Sequence, residues 1–195
     1  ASGERMDATD IKGLFAELKK RMDGQIEHVR RELGGVRTGR ASVTILDSVH
    51  VEAYGSQMPL NQVASLSIPE PTMIVAQPFD PSLTATIEKA IRSANLGLNP
   101  ATDGKAIRIP LPSLTEERRK EMSKLVHKFA EEGRNGVRQA RRDANDRLKK
   151  LLKDHKISED DERRGLEDVQ KVTDQHIAVI DELQKKKDTE LLGKG

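Results

Sequence analysis

The sequence predicts an α+β protein, a long antiparallel three-helix bundle interrupted by a small inserted β/α/β domain. Three observations carry that reading. All eight prolines fall between Pro59 and Pro112. Residues 41–113 hold 10 of the 66 charged side chains, and the flanks hold the other 56. The flanks also repeat apolar residues at steps of three and four over long stretches, the period of one helix face. The bundle is accordingly assigned to residues 1–39 and 114–195, and the inserted domain to 40–113.

In the first flank, Ile11, Leu14, Phe15, Leu18, Met22, Ile26, Val29, Leu33 and Val36 trace one helix. Gly34 and Gly35 each weaken it by about 1 kcal/mol relative to alanine, so it should fray or bend there, and Gly39 supplies a flexible exit. The second flank opens with Thr115 as N-cap and Glu116 and Glu117 favourably placed against the helix dipole. Its stripe (Met122, Leu125, Val126, Phe129, Val137, Ala140, Ala144, Leu148, Leu151, Leu152) predicts a rod of almost 40 residues, about 60 Å at ~1.5 Å per residue. Ser158 with Asp161 three residues on marks the start of a third helix, continued by Leu166, Val169, Val172, Ile177, Ile180, Leu183 and Leu191. The short connection at Asp154 to Ile157 makes the second and third helices antiparallel, with the first covering their seam.

The insert has a different rhythm. Val49, Val51 and Ala53 alternate with polar residues, as do Leu66 and Ile68. Thr72 to Gln77 is rich in strand formers, and Ile107 and Ile109 follow the Asp103-Gly104 turn signal. Asp80 followed by Pro81 reads as a helix cap with proline in the first turn, and Leu83, Ile87, Ala90, Ile91 and Ala94 give that helix one apolar face. The chain leaves the bundle and returns to it, so two strands connect the domains. Gly39, Arg40 and Ala41 on one crossing, and Pro110, Pro112 and Ser113 on the other, form a candidate hinge.

Composition excludes several functions. No cysteine is present, so disulfides, thiolate metal sites and cysteine nucleophiles are out, and a reducing cytoplasmic compartment fits. Apolar runs reach four residues, at Met73 to Ala76 and Ile177 to Ile180, far short of the roughly 20 that span a bilayer. The first ten residues carry no apolar stretch resembling a secretory signal, and residues 1–5 read as a tag remnant or a ragged native end. His28, His50, His127, His155 and His176 are scattered without metal-ligand spacing, so neither metal nor cofactor is expected. Gly34 to Arg40 is glycine-rich, yet it lacks the Gly-Lys-Ser/Thr ending of a phosphate loop and follows a helix.

The informative feature lies on the second long helix. At ~3.6 residues per turn, Arg134, Arg138, Arg141 and Asn145 share a sector of roughly 60°, about 100° from the centre of the apolar stripe, and are expected as one exposed line. Arg142 sits beside it, and no acid occurs from Gly133 through Arg142. Pairing along the helix explains part of the segment: Glu131 can meet Arg134, Asp143 can meet Arg147, and Asp146 can meet Lys150 or Arg142. Arg138 and Arg141 find no carboxylate at i±4. Two explanations stand: an RNA phosphate array, which guanidinium groups bind bidentately, or acids on a neighbouring helix such as Glu17 or Asp174. The chain's 2% aromatic content argues against base stacking, so recognition by backbone and shape is expected, with Arg37 and Arg40 as further candidates.

Taken together, Arg37-Thr-Gly-Arg-Ala41, Tyr54-Gly55 leading to Pro59-Leu60, Leu96-Gly-Leu-Asn-Pro100, Leu111-Pro-Ser-Leu-Thr-Glu-Glu-Arg-Arg-Lys120, Val137-Arg138, Arg141-Arg-Asp-Ala-Asn-Asp146 and Ile157-Ser-Glu-Asp-Asp161 resemble the bacterial-type ribosome recycling factors. The likeness runs over residues 10–192 in order. It implies a two-domain L-shape similar in outline to transfer RNA. It also implies action with elongation factor G to split the post-termination ribosome and free it from messenger RNA. The expected partners are the large ribosomal subunit, through 23S ribosomal RNA, and elongation factor G. The protein would act as a cytoplasmic monomer without catalysis or cofactor. Arg141 falls on the family's functionally important bundle arginine, with Arg138 and Arg142 beside it and Arg37 and Arg40 at the hinge end. Ala53 stands where many members carry a second tyrosine, and Ser113 replaces a frequent proline.

Two other functions would leave different traces. A coiled-coil-like adaptor would bind a protein without salt dependence and would ignore ribosomes. A hydrolase in the insert would have only His50, Asp80 and Glu88 as obvious titratable groups.

Overall fold

The computed structural model describes residue 6 and residues 8–192, and the expectation for residues 1–5 falls outside them. The chain forms two compact units. One runs to Val36 and resumes at Arg119, and the other is Arg37–Arg118.

The first unit holds three helices: α1 (Ile11–Gly34), α4 (Glu116–Lys153) and α5 (Glu159–Leu191), the cut between units falling within the first turn of α4. Asp10 caps α1 by accepting from the Gly13 amide at 2.7 Å, and the helix ends at Gly34, short of the expected Val36, at the glycine pair where fraying or bending is expected. Thr115 Oγ1 accepts from the Arg118 amide at 3.1 Å at the head of α4. Ser158 and Asp161 form a reciprocal capping box at the head of α5. Between α4 and α5, His155 takes a left-handed conformation (φ 57°). The Lys156 amide then bonds to Leu151 O at 2.8 Å and the His155 amide to Leu152 O at 3.0 Å, a Schellman stop with histidine where glycine is usual.

Cross-helix contacts fix the directions. Val29, Gln25 and Arg21 meet Gly133, Gly136 and Asp143, so α1 is antiparallel to α4. His127 and Leu148 meet Gln184 and Gly165, so α4 is antiparallel to α5. The seam buries Leu14, Leu18, Met22 and Val29 from α1, Val126, Val137, Ala144 and Leu148 from α4, and Val169 and Ile180 from α5. Two α4 glycines admit this approach: a Cβ on Gly133 would stand 2.2 Å from Val29 Cγ2, and one on Gly136 would stand 2.3 Å from the Gln25 carboxamide.

The second unit contains β1 (His50–Ala53), β2 (Ser56–Pro59), the one-turn helix α2 (Leu60–Val63), β3 (Ala64–Glu70), β4 (Met73–Pro78), α3 (Thr84–Ser93), β5 (Ala101–Asp103) and β6 (Ala106–Pro110). Strands β1 and β2 form a hairpin through Tyr54-Gly55, whose φ values of 53° and 78° are those of a tight primed turn. The other strands make an antiparallel sheet in the order β3-β4-β6-β5. Its buried residues Ile74, Ala76, Ile107 and Ile109 form a core with Val51, Ala53, Ile87 and Ile91. Pro69 is tolerated because β3 is an edge strand whose register shifts between Ser67 and Glu70. Strands β2 and β5 carried no sequence signal because neither has a fully buried residue.

Candidate nucleic-acid interface

The four residues placed on one line of α4 do not share one environment. Arg134 is the departure from expectation. Its Nε donates to Asp181 Oδ1 at 2.9 Å, its Nη1 to Glu131 Oε2 at 3.0 Å and its Nη2 to Gln184 Oε1, which leaves the side chain 12% exposed. The expected Glu131 pair forms, but Asp181 and Gln184 on α5 complete a clamp that spacing along α4 could not reveal. Arg134 therefore does not present a free guanidinium.

Arg138 also departs from its reading. It reaches two turns back to Glu131 Oε1 at 3.2 Å and to Asn135 Oδ1 at 3.1 Å, a carboxylate that the i±4 rule passes over. Its side chain stays 38% exposed. One carboxylate thus serves two arginines. The Arg134 hydrogen bond first, and the Arg138 bond after it, hold Glu131 below its usual carboxyl range against the opposing effect of burial.

Arg141, expected on the exposed line, is part-buried and differs from both arginines before it on that line. It makes no ion pair or hydrogen bond among the described residues, and its Nε is out of solvent contact without a partner. Asp174, named from the sequence as an alternative partner, instead accepts from Gln170 at 2.9 Å. Asn145, one turn on, has an equally buried and unpaired Oδ1. Arg142 is exposed and donates only to the neutral Gln139 at 3.1 Å. Asp143 does not pair with Arg147; it binds Arg21 of α1 at 2.8 Å, so it leaves the arginine face and locks α1 to α4.

In the second unit, Arg37 is exposed and unpaired among the described residues, whereas Arg40 is part-buried and already engaged. Of the candidate hinge, Ala41 is tied by its amide to Pro71 O at 2.6 Å, and Pro110 lies within β6 opposite Met73. Leu111, its neighbour, bonds to Thr72 O at 2.8 Å. Gly39 (φ 77°) lies beside Leu114, whose Cγ a Cβ on the glycine would approach to 3.4 Å. Gly39, Pro112 and Ser113 take part in none of these hydrogen bonds.

The would-be hydrolytic residues are engaged separately. Asp80 accepts from the Ser82 amide and hydroxyl and from the Tyr54 hydroxyl, and these bonds, those of Ser82 foremost, lower its pKa. Glu88 is lowered chiefly by Thr102 and then by Arg92, and His50 Nδ1 faces Ser48 O at 3.1 Å. Neither carboxyl is raised toward the range in which it could act as a general acid. Among the described residues no cluster of three or more histidines and acids could hold a metal, and no helix is long and apolar enough to cross a membrane.

A family model described as ribosome recycling factor matches residues 29–192, which includes the whole second unit and all of α4 and α5. The chain belongs to the ribosome recycling factor family. The ribosome-recycling factor of Bradyrhizobium diazoefficiens is 53% identical over 90% of this chain and 94% of its own length. That of Rhodospirillum centenum is 51% identical over 96% and 99%. A solution structure of a ribosome recycling factor superposes with a TM-score of 0.68 at 42% identity, covering 94% of this chain and 97% of that one. A second structure presents the T. thermophilus ribosome recycling factor and E. coli elongation factor G bound to the E. coli post-termination complex. It superposes with a TM-score of 0.61 at 45% identity, over 94% and 99%. Both carry the mixed helix and sheet architecture described above.

Proposed function

We propose that this chain acts with elongation factor G to split the post-termination ribosome, and that it does so mechanically, without bond chemistry, cofactor or metal. The bundle grips 23S ribosomal RNA of the large subunit in the cytoplasm as a monomer, and elongation factor G displaces the inserted domain, residues 40–113, about the hinge at Gly39, Arg40, Pro112 and Ser113. The family relationship supports the reaction, since the similar T. thermophilus factor is described together with elongation factor G on a post-termination complex.

The observation that carries the residue assignment is Arg141: a guanidinium with no carboxylate or hydrogen-bond partner among the described residues, in a stretch of α4 that contains no acid. A fixed cation left unpaired suits a partner that brings its own anions, and RNA presents a dense phosphate array. Arg138 and Arg142 flank it with guanidinium groups held only by a shared or a neutral partner. Arg37 and Arg40 add the hinge-end contacts. Arg134 serves instead as the clamp between α4 and α5.

Breakdown of polysomes by the purified chain with elongation factor G and GTP tests the reaction, and a folded sample that leaves polysomes intact removes it. Affinity for large subunits should fall by about 0.7 to 0.9 log units per phosphate contact per decade of salt. The R138A/R141A double variant should flatten that slope while remaining folded. An unchanged slope would count against the assigned contacts.

A further inference from the structure

Two of the four buried, unpartnered polar atoms among the described residues, Arg141 Nε and Asn145 Oδ1, belong to side chains one turn apart on the same face of α4. They are of opposite kind: the first can only donate and the second can only accept. Residues at i and i+4 on a helix have Cβ atoms roughly 5–6 Å apart, so one small ligand unit can address both. Buried polar groups are nearly always paired in folded chains, and two orphans one turn apart, with the intervening Asp143 turned to Arg21 of α1, point to a partner from outside.

We propose that Arg141 and Asn145 read the ribose-phosphate unit of RNA, the guanidinium binding a phosphate oxygen and Asn145 Oδ1 accepting from the 2′-hydroxyl, so that Asn145 selects ribose over deoxyribose. This rests on the assignment of Arg141 to RNA phosphate. The unit must offer an anionic acceptor and a neutral donor side by side. A ribonucleotide does so, whereas a deoxyribonucleotide and a protein carboxylate lack the donor. A peptide group carries both but has no charge to satisfy Arg141. Because both atoms are out of solvent contact in the free chain, binding requires a rotamer change of Arg141. No ion pair or hydrogen bond holds that side chain back.

The test measures fluorescence anisotropy at low salt with a labelled RNA hairpin and the same hairpin carrying 2′-fluoro groups, which keep the A-form but remove the donor. The full chain should bind the hydroxyl form more tightly by about three- to tenfold, the scale of one hydrogen bond. In N145A that ratio should fall to one with affinity for the 2′-fluoro hairpin unchanged, an outcome that a purely structural asparagine would not give. N145D keeps an acceptor and adds repulsion, so it should weaken both hairpins while preserving the ratio. Equal binding of the two hairpins by the full chain, no binding of the hydroxyl hairpin, or discrimination that survives in N145A would each overturn the inference. Loss of large-subunit affinity in R138A/R141A is measured separately, so failure here leaves the phosphate assignment standing and failure there removes both.

Discussion

Replacing Arg134 and Arg141 one at a time by alanine separates holding the bundle together from holding RNA. Arg134 contributes two ion pairs and one neutral hydrogen bond, at 2.9 Å to Asp181, 3.0 Å to Glu131 and to Gln184. Glu131 and Asp181 are 41% and 55% exposed, so each pair lies in the range of partly solvated salt bridges, about 0.5 kcal/mol, and water can solvate the acids when the arginine is gone. The Gln184 bond adds roughly 0.5–1 kcal/mol, so R134A should lose about 1–2 kcal/mol, which for a bundle of this size lowers Tm by roughly 3–8 °C. Arg141 has no such partners, and its removal also relieves a buried unpaired N–H, so R141A should stay within about 0.5 kcal/mol of the parent.

Binding to purified large subunits should show the opposite order. R141A loses a charge-assisted contact worth about 1.5–3 kcal/mol, roughly ten- to a hundredfold in affinity, while R134A at a temperature where it is folded should bind within about threefold of the parent. Thermal unfolding followed by circular dichroism and subunit binding by sedimentation measure the two quantities. Equal destabilisation by both substitutions, or a folded R134A that binds as poorly as R141A, would refute the division of labour.

Four further outcomes follow from the structure. Gly24 in α1 has open space where a Cβ would go, so G24A should stabilise by about 1 kcal/mol through helix propensity alone. In contrast, G133A gains the same propensity but drives a methyl to 2.2 Å from Val29 Cγ2. Valine in a helix has one preferred rotamer and cannot swing aside, so overpacking should win by about 1–2 kcal/mol, and V29A should relieve the clash in the double variant; chemical denaturation measures all three. At the α4–α5 turn, H155G should stabilise by up to about 1 kcal/mol, since glycine adopts φ 57° without a Cβ, and Tm reads this directly. Glu131 is depressed below its ordinary 4.5, so its contribution is fully present above that value and is lost as pH falls through its lower folded value. The stability gap between the parent and R134A should accordingly narrow as denaturation is repeated at progressively more acid pH. A gap that stays constant would show that Glu131 does not sustain the clamp.

The three long helices and the N-caps of α4 and α5 were legible in the sequence because each depends on information within a turn or two: the three-and-four rhythm, Thr115 before Glu116, and Ser158 with Asp161. Strands β2 and β5 were not, since their pairing is set by partners and neither carries a buried side chain. The same limit governs the arginine face. Spacing along α4 correctly put Arg134, Arg138, Arg141 and Asn145 on one line, but whether a guanidinium on that line is free depends on what α5 places opposite it. Asp181 and Gln184 fall opposite Arg134, whereas beside Arg141 the candidate acid Asp174 is taken by Gln170 on its own helix. The register is pinned where the backbones approach most closely, at Gly133 between Val29 and Ile180 and at Gly165 against Leu148. Small residues in the seam thus help hold the register in which Asp181 and Gln184 meet Arg134.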